Sequence, residues 1–356
     1  MDLNIRPLGA IQVLRALAAL GVVVYHMQGE LAHRGFDDPF PSLAIGAFGV
    51  DLFFVISGFI MVYSSARSFA RPGAGRRFLA KRIVRIAPLY WIFTSLSAVI
   101  AVLLARYPGH ADYSFKHILA SYLFIPAPRP EDGAMLPTLP TGWTLNYEMF
   151  FYVCFAVALQ WRRPIAVAAV GLALTTMVIV GALAALPEPV AFLANSMTIE
   201  FCLGMLLAQL FLAGWRLPLW ARLVLIALGA AYAMLGAAHG ETSPIRGIAW
   251  GVPAAAIVGA AALANASPSG LAARALENLG DASYSLYLVH TALFIAIYVV
   301  LARFADPHAL SSIAYAVGVV TASIAAALAL HAWVERPMTR FLNGALDARG
   351  RRTERA

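Results

Sequence analysis

The chain has 356 residues, of which 61% are hydrophobic and only 12% charged, and its mean hydropathy is +0.76. Those values exclude an ordinary soluble domain and indicate one membrane domain crossed many times. The formal charge of +8 does not indicate nucleic acid, because the basic residues cluster at the ends of apolar segments, where orientation signals lie.

The first apolar run, residues 11–28 (IQVLRALAALGVVVYHMQ), carries Arg15 and His26. It has no clear small-residue cleavage site after it and reads as an uncleaved first span. On an α-helix, eleven residues turn through about 1100°, within roughly 20° of three full turns, so both side chains share one face about 16 Å apart. Ionisable residues inside a membrane helix are expensive and face a polar pathway or a site. The bland alternative is an arginine snorkelling to the headgroups and a packing histidine.

Ten apolar segments are long enough to span, near 10–28, 44–63, 86–105, 143–160, 164–186, 190–213, 218–238, 245–264, 280–302 and 310–333. The segment 117–125 is too short to cross and reads as interfacial or re-entrant. The loop after the second segment holds Arg67, Arg71, Arg76, Arg77, Lys81, Arg82 and Arg85. Arg162, Arg163, Arg216, Arg222 and the C-terminal arginines follow on the same side. The alternate loops are poor in Lys and Arg or carry acids such as Glu30, Asp37 and Asp38. This bias places both termini in the cytoplasm. The Pro-rich loop 106–142 is long enough to cap or line an outward-facing site. Cys154 and Cys202 lie in apolar runs and read as packing residues.

In that topology His26, Asp51 (in FGVDLFFVISGFIM) and Glu148 (in GWTLNYEMFFY) all fall in the outer parts of their helices. A histidine near a carboxylate is the usual arrangement of a general base held in one tautomer. Each acid is equally well read as a helix-start residue favoured by the dipole. Arg82 and Arg85, three apart, share a helical face and with Arg15 suit a cytoplasmic polyanion such as a nucleotide phosphate, or a simple positive-inside anchor. His290 lies mid-span, where lipid exposure is excluded and a structural or a functional role remains open. Glu200, also mid-span, requires neutrality or an arginine partner. Metal spacing, a phosphate-cradling Gly loop and a serine-nucleophile elbow are all missing from the sequence, and Ser57 in VISGFIM reads as packing.

These motifs, in this order, resemble the acyltransferase family 3 membrane proteins, which O-acylate carbohydrates. The resemblance rests on Arg15 with His26 (R-x10-H), FGVDLFFVISGFIM, Arg82 and Arg85 (R-x-x-R), Trp143 through Glu148 in GWTLNYEMFFY, SYSLYLVH ending at His290, and Glu335–Pro337. It covers nearly the whole chain, and the LNYEMFFY wording is most similar to the exopolysaccharide-modifying branch typified by succinoglycan acetylation proteins. It implies an all-α polytopic fold with one transmembrane domain over 1–340 and a basic cytoplasmic tail over 341–356. The implied activity is transfer of an acyl group, acetyl above all, from cytoplasmic acyl-CoA to a hydroxyl of an exopolysaccharide, O-antigen or lipid-linked sugar at the bacterial inner membrane. No bound cofactor is implied, and polysaccharide assembly proteins are the implied partners. The implied roles are His26 as base with Asp51 or Glu148 as its orienting carboxylate, and Arg15, Arg82 and Arg85 on the CoA. Trp143, Tyr147 and His290 are then acceptor-binding or structural. The rival reading is a transporter or flippase of glycans or lipid intermediates, which also wants intramembrane charges, although no internal repeat supports it.

Overall fold

The structure is a computed structural model, and it describes residues 8–104, 113–237, 244–265, 268–304, 306 and 310–353. The first part of the 106–142 loop and the last residues of the 341–356 tail lie outside the described residues. Among those described, all regular structure is helical. The helices are α1 (Gly9–His33), α2 (Phe48–Ser64), α3 (Ala74–Leu104), α4 (Phe115–Tyr122) and α5 (Trp143–Ala158). Then come α6 (Arg163–Leu183), α7 (Glu188–Leu193), α8 (Ile199–Leu212), α9 (Leu219–Ala237) and α10 (Arg246–Ala249). The last five are α11 (Gly251–Ala262), α12 (Leu271–Asp281), α13 (Ser283–Phe304), α14 (Ser312–Leu330) and α15 (Arg336–Thr353).

Each of the ten apolar segments falls on a helix. Seven helical stretches among the described residues are long and apolar enough to cross a bilayer. The segments 143–160, 190–213 and 245–264 give shorter helices. Two have visible interruptions: the non-helical residues 194–195 and a 3-10 turn at Ser196–Thr198 divide α7 from α8, and a break at Trp250 divides α10 from α11. Helix α9 shows the membrane character most plainly, with only 11% of its apolar window buried and Leu223, Leu228 and Leu235 all exposed. Apolar side chains left outside in this way are what a hydrocarbon solvent selects. The chain is an integral membrane protein.

Two compact units divide the chain: residues 1–64 with 199–331, and residues 65–198 with 332–356. In the first, α2 is the most enclosed span, with 78% of its window buried. Small residues let its backbone approach its neighbours. A Cβ on Gly49 would stand 2.3 Å from the Ala18 carbonyl oxygen, and one on Gly58 would stand 2.1 Å from that of Phe201. Gly204 of α8 meets the Val55 oxygen reciprocally. Membrane helices without a water-driven hydrophobic effect pack through such close backbone approaches. The glycine of VISGFIM is therefore a packing residue of the α2–α8 contact. Gly58→Ala is expected to destabilise the unit by about 1–3 kcal/mol through overpacking. Thermal unfolding in detergent reads that loss, and an unchanged midpoint would refute the account of this contact. A second core joins α1, α13 and α14 through Val23, Met27, Leu31, Leu286, Phe294, Tyr315 and Val319.

In the second unit, α3 and α5 run antiparallel. Gly75 meets Ala156, Phe78 meets Tyr152 and Phe155, and Tyr90 meets Gly142. The short α4 begins at Ser114, whose hydroxyl accepts the His117 N–H at 3.2 Å, and is held to α3 by Trp91 Nε1 donating to the Tyr122 carbonyl at 2.9 Å. In the following loop Arg129 binds both Asp132 and Glu131. The Arg129 guanidinium draws the Asp132 carboxyl down to about 2, so this clasp is present at neutral pH and is lost only as pH falls toward that value. The residues expected to form a basic tail continue as α15 through Thr353, where Asp347 pairs with Lys81 of α3 at 3.8 Å.

Candidate active site

The shared face of Arg15 and His26 is directed at α13. Arg15 donates to Ser283 Oγ at 2.9 Å and to Gln12 Oε1 at 2.9 Å. Eleven residues on, the His26 ring meets the His290 ring, with centroids 5.0 Å apart. His26 Nδ1 lies 3.0 Å from the Val22 carbonyl oxygen and 3.1 Å from His290 Nε2. His290 is fully buried, its Nδ1 lies 3.0 Å from the Leu286 carbonyl oxygen, and the Phe294 ring stands edge-on to it at 5.7 Å. The close α1–α12 packing that starts this register depends on Gly280, where a Cβ would stand 2.0 Å from the Gln12 oxygen.

His26 lines a cavity of about 460 Å³ together with Tyr25, Glu30, Ser42, Thr291 and Phe294. The cavity wall is held by local bonds. Gln28 accepts the Leu43 N–H at 2.7 Å and donates to Asp38 at 2.7 Å, folding the 34–43 loop back onto α1. Glu30 is paired with Arg34 at 2.8 Å, and the Arg34 guanidinium stacks over Tyr298.

Asp51, expected beside His26, has a different partner. Its carboxylate is fully buried and takes a two-pronged contact from Arg246, at 2.8 Å to Nη2 and 3.2 Å to Nε. The guanidinium lies 4.7 Å from the Trp250 ring centroid and also donates to the Ala47 carbonyl. A buried carboxylate needs a cation with several donors, and the planar fork of arginine supplies them. Glu200, also fully buried, stands next to both charges. Arg246 was not singled out in the sequence. Its one signal was an arginine at the mouth of an apolar segment on the side that is otherwise poor in Lys and Arg.

In the second unit, Arg82 lies near the rings of Phe78 and Tyr152, at 5.3 Å and 6.0 Å. The Tyr152 hydroxyl donates to Glu148. Arg85 and Glu148 are both charged neighbours of Arg82. Glu148 thus neighbours Arg82, which the loop-charge bias places toward the opposite end of the spans. The reason is the antiparallel register of α3 and α5, which sets the second turn of α5 against the middle of the Arg82–Arg85 segment. Trp143 stands edge-on to Tyr147 at 5.9 Å, and buried Tyr147 donates to the Phe192 carbonyl at 2.5 Å, which makes it a helix anchor. Asn146 is 1% exposed, and neither polar atom of its amide meets a described protein partner. It was missed in the sequence, where a single Asn in an apolar run carries little signal.

The model of the acyltransferase 3 family, described as an acyltransferase domain, matches residues 8–332. The chain belongs to that family. It is 39% identical to the exopolysaccharide production protein ExoZ of Rhizobium meliloti (strain 1021) over 259 residues, 69% of this chain and 76% of that protein. It is 26% identical to the acyltransferase MdmB of Streptomyces mycarofaciens over 311 residues, 78% of this chain and 76% of that one. No solved structure matches the chain. The family match covers residues of both units and makes the protein a membrane acyltransferase, which sets the transporter reading aside. Of the family motifs, the R-x10-H pair lands on the α13-facing stripe of α1 and the R-x-x-R pair lands with Glu148 and Tyr152. The VISGFIM glycine lands on the α2–α8 contact. Cys154 and Cys202 are free thiols.

Proposed function

We propose that the protein transfers an acyl group, acetyl above all, from cytoplasmic acyl-CoA to a hydroxyl of a cell-surface carbohydrate at the bacterial inner membrane. The observation that carries this reading is the His26 ring in the wall of a cavity, hydrogen-bonded on its inner side and lined nearby by Tyr25, Ser42 and Thr291. Exopolysaccharide is the favoured acceptor because the relative with 39% identity is named for its production.

The reaction needs one proton acceptor and no metal. His26 takes the proton from the sugar hydroxyl as its oxygen attacks the thioester carbonyl. The new C–O bond forms, the C–S bond breaks, and the same proton passes from His26 to the departing CoA sulfur. Direct transfer is preferred over an acyl-enzyme, since Cys202 is buried and the two cysteines lie in apolar helices. Arg82 and Arg85 are assigned to the CoA phosphates, for which the guanidinium fork is suited. Glu148 and Tyr152 keep the Arg82 side chain in place. Asp51 supports the fold through Arg246.

Arg82→Ala and Arg85→Ala are each expected to raise the KM for acyl-CoA about tenfold or more, as loss of one charge-assisted phosphate contact implies, with the KM for acceptor unmoved. Membranes supplied with radiolabelled acetyl-CoA and acceptor polysaccharide give both constants. A wild-type donor KM in both variants would remove these arginines from the donor site.

A further inference from the structure

We propose that His290 is the positioning residue for His26, and that the pair makes Nε2 of His26 the nitrogen that takes the proton. The inference rests on His26 being the base. A carbonyl oxygen only accepts, so the nitrogen facing it must carry hydrogen. The Leu286 oxygen faces His290 Nδ1 at 3.0 Å, which places that ring's proton on Nδ1 and leaves Nε2 as a lone-pair acceptor. The Val22 oxygen faces His26 Nδ1 at 3.0 Å, which places a proton there as well. That N–H is shared with His290 Nε2 at 3.1 Å. The lone pair of His26 is then on Nε2, the ring nitrogen left for the cavity that His26 lines.

Both rings use the same local device. Each Nδ1 binds the carbonyl four residues earlier on its own helix, so helix geometry sets both tautomers without a charged partner. When His26 is protonated, its Nδ1–H has two acceptors, and hydrogen bonds to a charged donor are stronger than neutral ones. His290 thus does for His26 what a carboxylate does in other base–orienter pairs, and it does so uncharged. A carboxylate in these surroundings requires its own counter-charge, as Asp51 requires Arg246. His290 does not relay the proton, because its Nδ1–H ends on a carbonyl.

The test has two arms. In the wild-type protein, histidine-selective nitrogen NMR, with His26 assigned by difference against His26→Ala, is expected to show neutral His26 protonated at Nδ1 and bare at Nε2. The opposite tautomer overturns the proposal, and this arm does not depend on any His290 variant folding. In membranes, His290→Phe is expected to lower kcat about 10–100-fold with both KM values little changed. His290→Gln, whose amide oxygen can accept from His26 Nδ1, is expected to recover most of that loss. Wild-type kcat in His290→Phe, or equal loss in both variants at normal protein level, overturns the role. Retained activity in His26→Ala instead defeats the base assignment. A dead His26→Ala beside a fully active His290→Phe defeats only the positioning role.

Discussion

His26→Ala is expected to lower acyl transfer in isolated membranes by about 10²–10⁴-fold, the range that a positioned general base supplies. The amount of inserted protein should stay near wild type. The ring borders a cavity rather than filling the core, so its removal enlarges a space that already exists. The cost falls on His290 Nε2, which loses its donor, at about 1–3 kcal/mol for an unsatisfied buried group, less if cavity water replaces it. Donor affinity should stay near wild type, because Arg82 and Arg85, the two arginines assigned above to the CoA phosphates, lie on α3 and not on the helix that carries His26. Initial rates against acetyl-CoA concentration, normalised to immunoblotted protein, separate these terms. A variant with near-normal kcat would end the proton-acceptor role of His26.

The second large effect is on stability. Asp51→Ala or Arg246→Ala each leaves one charge without its partner in a buried setting, where Asp51 is 0% and Arg246 6% exposed. Breaking such a pair typically costs about 3–5 kcal/mol. Each single variant is therefore expected to lose most of its detergent-stable population and to unfold at a markedly lower temperature. The double variant Asp51→Asn with Arg246→Met removes both charges and should be more stable than either single alanine change. Glu200→Gln keeps the side-chain shape and removes the second carboxylate from a cluster with one cation, so it should be tolerated. Fluorescence-detected size exclusion after stepwise heating ranks all four. A single alanine variant as stable as wild type would show that the pair does not support the fold.

The sequence carried the helical architecture well, because a membrane span announces itself by length and hydropathy alone. Each apolar segment became helix, although 143–160 gave a helix of only 16 residues and the interruptions at 194–198 and at Trp250 shortened two more. The face shared by Arg15 and His26 followed from the eleven-residue spacing, since helical period is a local property. Partners across the chain were not legible in this way. Nothing in the period of α1 says that His26 meets a ring 264 positions away, or that Asp51 answers an arginine 195 positions away. The carboxylate expected near His26 was inferred from depth in the membrane, and depth does not determine which neighbour a side chain faces. Glu148 shows the same gap. Its place on α5 was readable, but its company with Arg82 depends on the antiparallel register of α3 and α5.

The most direct test of acyl transfer to a surface glycan is mass spectrometry of that glycan. Surface polysaccharide should be compared from cells carrying the protein, cells without it, and cells carrying His26→Ala. The account predicts an acyl mass increment, acetyl in the first instance, on a sugar of the wild-type sample and on neither of the others. Equal acylation in all three samples would contradict it.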